Sequence, residues 1–407
     1  MIQPEKDHSE PTNPFRPGMG LDPPYLADRA AELGRFDKYL AGFPTFPRNV
    51  RLTGLRGVGK TVLLQHYAAA AEARGWVVVR RECSEHLQNE STFALALVED
   101  CRSAVEHSSR TLALRQRSTA AARRALDLLG GLTVTLEGVT LAVKPPTYAT
   151  RQPAVLEDQL FQALELACEG ATGARRPGVL FCYDEAQVLS DVPRRRQFPL
   201  GVFLASVARA QRSGLAVMLV VCGLPTLTDN LARAKSYSER MFQAELLDAL
   251  RPPEDVLAFT RPFQSAGRGV DTGVIESVRR DTGGYPFHIQ FFGALLWEAC
   301  SPSAAITHAD FMRHRPTILR ALDGAFFDAR LARTTLRERR VLRAVATGGE
   351  ITSLQSVRER LSLPNRRMQP LIAGLEAKGL LYRPERGRLA FTVPLFGDYL
   401  RRKGAVS

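Results

Sequence analysis

The chain has 407 residues, 45% of them hydrophobic, and a formal charge of +13 at pH 7. That length accommodates two or three domains with a large core. No apolar run reaches the roughly 20 residues of a membrane span. The opening "MIQPEKDHSEPTNPFRPGMG" lacks the apolar core of a secretion signal, so the sequence predicts a cytoplasmic protein with no membrane partner. The six cysteines are scattered without a C-x-x-C pair. They read as buried free thiols rather than a zinc site or a disulfide framework.

In chain order, Met1 to Gly20 is polar and proline-rich and reads as a disordered tail. "DPPYLADRAAELGRFDKYLAG" reads as a turn and a helix. "NVRLTG" alternates as a strand does, and "TVLLQHYAAAAEARG" has helical spacing with a glycine stop at Gly75. Between them, Gly54, Leu55, Arg56, Gly57, Val58, Gly59, Lys60 and Thr61 fit G-x-x-x-x-G-K-[ST]. Glycines let backbone N–H groups converge on an anion, and the helix N-terminus that follows at Val62 favours negative charge. Lys60 would reach the terminal phosphates of ATP, and Thr61 would ligate Mg²⁺. The competing reading is a glycine loop that only turns a strand into a helix.

Trp76 to Cys83 reads as a second strand, followed by helices over Thr92–Glu106 and Thr111–Leu129. Gly130 to Pro146 alternates apolar and polar residues around a glycine and reads as a small edge hairpin. A helix over Pro153–Glu169 leads into the apolar run Val179–Tyr183, which has the character of a buried parallel strand. That run ends in Asp184-Glu185. Asp184 would hold Mg²⁺ through water, and Glu185 would orient or deprotonate the attacking water. Both acids could instead cap the next helix. "QFPLGVFLASVARAQRSG" is a helix, and Leu215–Pro225 is another buried strand. Strands alternating with helices predict an α/β fold with a parallel sheet.

Beyond Arg251 helices dominate: Glu254–Ser265, Val274–Asp281, Pro286–Ala299 and Thr307–Leu331. The last segment reads as three helices ("TLRERRVLRAVATGG", "SLQSVRERLSL", "PNRRMQPLIAGLEAKGLL"), two strands around Glu385-Arg386-Gly387 and a final helix. This is the pattern of a winged helix. Arg333 to Lys403 holds 16 Lys/Arg against 6 Asp/Glu, which suggests a polyanionic partner such as duplex DNA. Arg366, Arg367, Gln369 and Lys378 would lie on the reading helix, with Arg383, Arg386 and Arg388 on the wing. A solvated arginine-rich face is the alternative.

These motifs together resemble AAA+/STAND-type ATPases of the origin-recognition-like branch, over about residues 23 to 403. The resemblance implies a P-loop NTPase with a parallel sheet flanked by helices, an all-α lid and a C-terminal winged helix. The expected boundaries are a tail at 1–20, a nucleotide domain at 21–250, a lid at 251–331 and a winged helix at 332–407. "PPYLADRAAEL" resembles the family segment near adenine and assigns Arg29 there. "AKSYSERMFQAELLDAL" resembles the arginine-finger segment, so Arg240 would act across a homo-oligomer interface. "GGYPFHIQFFG" resembles the lid motif whose proline packs on the base, here Pro286. Cys222-Gly223 stands where a polar sensor is usual, with Thr226 or Thr228 as substitutes. His288 is the nearest substitute for the lid's second sensor arginine.

Two functions compete. One is a slow Mg²⁺-dependent ATPase whose nucleotide state controls assembly and DNA binding. The other is a STAND-type switch in signalling or defence, with the winged helix gating the nucleotide site or binding a protein partner.

Overall fold

The computed structural model describes residues 12–112, 133–136, 139–142 and 156–404, apart from positions 44, 302, 303 and 350. The chain forms two compact units. One comprises residues 30–54 and 60–247, and the other residues up to 29, residues 55–59 and residues from 248 onward.

The first unit is built on five parallel strands: β1 (Asn49–Gly54), β2 (Val77–Glu82), β5 (Val179–Asp184), β6 (Val217–Gly223) and β7 (Phe242–Leu247), in the order β2-β5-β6-β1-β7. The strand carrying Asp184 is thus separated from β1 by β6. Strands β5 and β6 are near-continuous apolar runs, as expected for strands covered on both faces. Helices α1 (Ala30–Ala41), α2 (Lys60–Ala73), α3 (Glu90–Leu112), α4 (Leu156–Gly173) and α5 (Pro199–Arg212) flank the sheet. Leu97, Leu164, Phe181, Phe203 and Leu219 are among the buried residues of its core. The polar tip of Tyr183 is satisfied inside this core: its hydroxyl donates to Asp100, which also accepts two bonds from Arg81 at 2.7 and 2.6 Å. The hairpin expected over Gly130–Pro146 is present as β3 (Thr133–Leu136) and β4 (Val139–Ala142), paired antiparallel in a separate two-stranded sheet. Most of the helix expected over Thr111–Leu129 lies outside the described residues. Strand β7 was not expected from the sequence.

In the second unit, helices α8 (Glu254–Ser265), α9 (Thr272–Thr282), α10 (Pro286–Ala299) and α11 (His308–Leu322) pack around Phe259, Phe263, Phe292 and Phe311. A π-helical stretch, Asp323–Asp328, continues α11 and leads through α12 (Ala329–Ala332) into the last segment. That segment contains α13 (Leu336–Ala346), β8 (Ile351–Ser353), α14 (Leu354–Leu361), α15 (Asn365–Ala377), β9 (Leu381–Tyr382), β10 (Arg388–Phe391) and α16 (Phe396–Gly404). Its three strands form an antiparallel sheet in the order β8-β10-β9. The expected boundary at 331/332 does not separate two bodies. Val341, Leu381 and Phe396 belong to the same core as Phe259 and Phe292.

The expectation of disorder up to Gly20 does not hold for residues 12–20; residues 1–11 lie outside the described residues. Phe15 is 4% exposed, with its ring 4.7 Å from that of Phe263. Asn13 donates to the Ala294 carbonyl, and the Arg16 amide donates to Gln290. The polar composition hid one aromatic anchor, whose burial contributes about 1.5–3 kcal/mol.

Candidate functional site

The phosphate-loop motif straddles the two units along the chain. In the sheet unit, Lys60 and Thr61 open α2 directly after the loop, and Lys60 is buried. Thr61 Oγ1 donates to Asp184 Oδ2 at 2.7 Å. The sheet order brings this about: β1 and β5 both end at the same edge of the parallel sheet, where open α/β sheets hold ligands. A hydroxyl and a carboxylate are hard oxygen donors of the kind Mg²⁺ takes alongside substrate phosphates. Among the described residues no cluster of three or more His, Cys, Asp or Glu competes as a metal site.

Glu185 follows in the left-handed conformation, φ 50°. Its backbone N–H donates to Asp184 Oδ1 at 2.8 Å, and its carboxylate accepts from Gln187 Nε2 at 2.6 Å. The acids therefore do not cap a regular helix; the short turn after them is 3₁₀. At the end of β6 lies Cys222, where the resemblance leads one to expect a polar sensor. Burial, and then the Asp184 carboxylate that it hydrogen-bonds, push this thiol well above its ordinary range. Thr226 and Thr228 lie in the next helix, α6 (Thr226–Ala234), both half-buried. Arg240 is exposed on α7 (Ser238–Met241), with no ion pair to a described residue.

In the helical unit, residues 55–59 form the loop itself. Gly57 and Gly59 have φ of +82° and +88°, which only glycine adopts cheaply. Three backbone groups of the loop are held by distant parts of the chain. The Gly57 carbonyl accepts from the Phe287 amide at 3.1 Å, the Val58 carbonyl accepts from Arg29 Nη2 at 3.0 Å, and the Arg56 amide donates to the Thr392 carbonyl at 3.1 Å. Arg29 thus braces loop backbone. Pro286 is the first residue of α10, where its fixed φ suits a helix start, and it is half-buried.

His288, the nearest substitute for the second sensor arginine, lies in the interior of the helical unit. It is 1% exposed, surrounded by Tyr285, Phe287, Phe326 and Phe327. Burial lowers its pKa from 6.5 to about 4, partly opposed by a hydrogen bond to the Thr282 backbone. A histidine depressed in this way leaves stability intact above pH 6.5 and erodes it as pH falls towards 4, because the unfolded chain takes up the proton first. The 2.5-unit interval corresponds to about 3 kcal/mol. Urea unfolding followed through Trp297, in a Trp76→Phe background, should lose that amount between pH 6.5 and 4. His288→Phe should abolish most of the slope.

The basic residues of the last segment divide. Arg366 and Arg367 are exposed in the first turn of α15, which contains no acid to offset them against the helix dipole. Arg386 is exposed in the β9–β10 turn, and Arg388 is exposed with Glu385 3.5 Å away. Lys378 differs from the expectation of an open reading face. Its ammonium lies 2.8 and 2.7 Å from the two carboxylate oxygens of Glu338, a buried residue that also completes a capping box with Thr335. Arg383 is likewise held by Glu376 and Gln369.

Residues 25–220 match the family described as the AAA ATPase domain. Over this stretch the chain is similar to AAA ATPase domains. The stretch includes the phosphate loop, Asp184 and Glu185, and the match ends within β6, before Arg240. Residues 324–400 match a domain of unknown function, DUF8462. No curated protein matches the chain. Among solved structures, the Walker-type ATPase of Pyrococcus abyssi is similar, with a TM-score of 0.59 and 19% identity over 92% of this chain and 96% of that one. The ORC2 protein of Aeropyrum pernix in its ADP form is similar with a TM-score of 0.50 and 13% identity, over 96% and 98%. At these identities the likeness is one of fold. No helix among the described residues is long and apolar enough to cross a membrane.

Proposed function

We propose that the AAA ATPase domain binds ATP with Mg²⁺ and hydrolyses it slowly, and that its nucleotide state controls a DNA-binding winged helix formed by the last segment. The observation that carries the ATPase reading is the contact of Thr61 with Asp184, 123 residues apart and 2.7 Å from each other. Bound Mg²⁺ would be held by Thr61, with Asp184 behind it through water, and would neutralise charge on the phosphates. Lys60 neutralises the terminal phosphates, and Glu185 takes a proton from the attacking water. A new O–P bond forms at the γ-phosphorus, the bond to the β–γ bridging oxygen breaks, and ADP and inorganic phosphate leave. Arg240 would serve a neighbouring copy of the chain.

The DNA reading is supported by Arg366 and Arg367, two exposed cations at a helix N-terminus that a phosphate backbone would offset. Arg386 and Arg388 would add wing contacts. A second reading, a nucleotide switch gated by the last segment, is supported by the bond between the Arg56 amide and the Thr392 carbonyl. ATP turnover by the purified chain, with and without duplex DNA at two salt concentrations, separates them. DNA-stimulated turnover favours the first, and slow turnover indifferent to DNA favours the second. The double variant Arg366→Ala, Arg367→Ala should weaken DNA binding. It should also reduce the slope of log K against log salt by about 2, since each phosphate contact contributes about 0.9. Unchanged binding would move the contact surface to another exposed run, such as Arg194 to Arg196.

A further inference from the structure

The end of β5 and the end of β6 are joined by one side chain. Gln187 Nε2 donates to Glu185 Oε2 at 2.6 Å, and its Oε1 accepts from the Leu224 backbone amide at 3.0 Å. The amide is thereby fixed in both orientation and identity, because the acceptor end is set by a backbone donor and the donor end by a carboxylate. The backbone around it is fixed as well: Asn230 Nδ2 donates to the Gln187 carbonyl at 2.9 Å and to the Leu189 carbonyl at 3.2 Å. Gly223 leaves the space this needs. A Cβ at Gly223 would lie 2.5 Å from Gln187 Oε1 and 3.1 Å from its backbone nitrogen.

We infer that Gln187 is a positioning residue for the reaction, holding one oxygen of the Glu185 carboxylate so that the other faces the attacking water. It ties that carboxylate to the strand end where Cys222-Gly223 stands in place of a polar sensor. This rests on the reading of Glu185 as the general base. A free glutamate has several rotamers, and a base must lie within hydrogen-bond reach of its proton. Gln187 selects one rotamer without touching nucleotide, so its removal slows the chemical step and leaves ground-state binding intact.

The test compares wild type, Gln187→Ala, Gln187→Glu and Gly223→Ala in steady-state ATP hydrolysis, alongside equilibrium binding of a non-hydrolysable ATP analogue and thermal unfolding. Gln187→Glu keeps the size of the side chain and removes its donor, so it reads the effect even if the alanine variant folds poorly. Gly223→Ala leaves Gln187 in the chain and displaces its amide. All three should lower kcat about tenfold with KM and analogue affinity within about twofold. In a Glu185→Gln background, Gln187→Ala should cause no further loss, since two residues acting through one group are not additive. Unchanged or raised kcat in Gln187→Glu, or full additivity with Glu185→Gln, overturns the inference and leaves the ATPase reading standing. A wild-type chain that binds ATP without turnover, or a Glu185→Gln variant as active as wild type, overturns the base assignment and this inference with it.

Discussion

Lys60→Ala is expected to weaken ATP binding by about 10- to 150-fold while leaving the fold intact. The estimate follows from the loss of one charge-assisted hydrogen bond, worth about 1.5–3 kcal/mol. The fold should survive because Lys60 opens α2 rather than lying in mid-helix, and alanine is the best helix former. Removing a buried cation also relieves a desolvation cost in the free protein. Titration of a fluorescent ATP analogue, with thermal unfolding as the control, reads both effects. Equal affinity in the variant would place nucleotide elsewhere than on the phosphate loop.

Glu185→Gln should give the complementary result. Binding persists, because the amide has the size of the carboxylate, and hydrolysis falls by about 10²–10⁴, the usual contribution of a positioned base. The substitution also replaces the acceptor that faces Gln187 Nε2 with a group that can rotate its own oxygen towards it. The side chain can therefore stay in place while losing basicity. Single-turnover hydrolysis of bound ATP measures the chemical step directly. Retention of wild-type turnover would assign the base to another residue.

The parts of the fold that follow from local pattern were legible in the sequence. The apolar runs at Val179–Asp184 and Val217–Gly223 and the helices Glu254–Ser265 and Pro286–Ala299 needed only periodicity and punctuation. What failed depended on partners far away in the chain. Strand β7 is an edge strand with partly exposed positions, entered directly from the four-residue α7. Its "FQAELL" has no turn signal before it. Strand β8 is three residues long and exists through its pairing with β10. Lys378 looked like a cation on an open helix, but its carboxylate partner lies 40 residues earlier. Gln187 carried no signal at all, because its two partners are a neighbouring glutamate and a backbone amide 37 residues on.

The bracing of residues 55–59 also bears on how the protein is made. The loop lies in the first sixth of the chain, yet its backbone is held by Arg29, Phe287 and Thr392. A nascent chain emerging from the ribosome has all eight residues of the phosphate motif long before it has two of those three supports. Contacts of such long sequence separation close late in folding. The loop thus acquires two of its three native braces only once Phe287 and Thr392 have been made, so the sequence that spells the motif precedes the contacts that hold its shape.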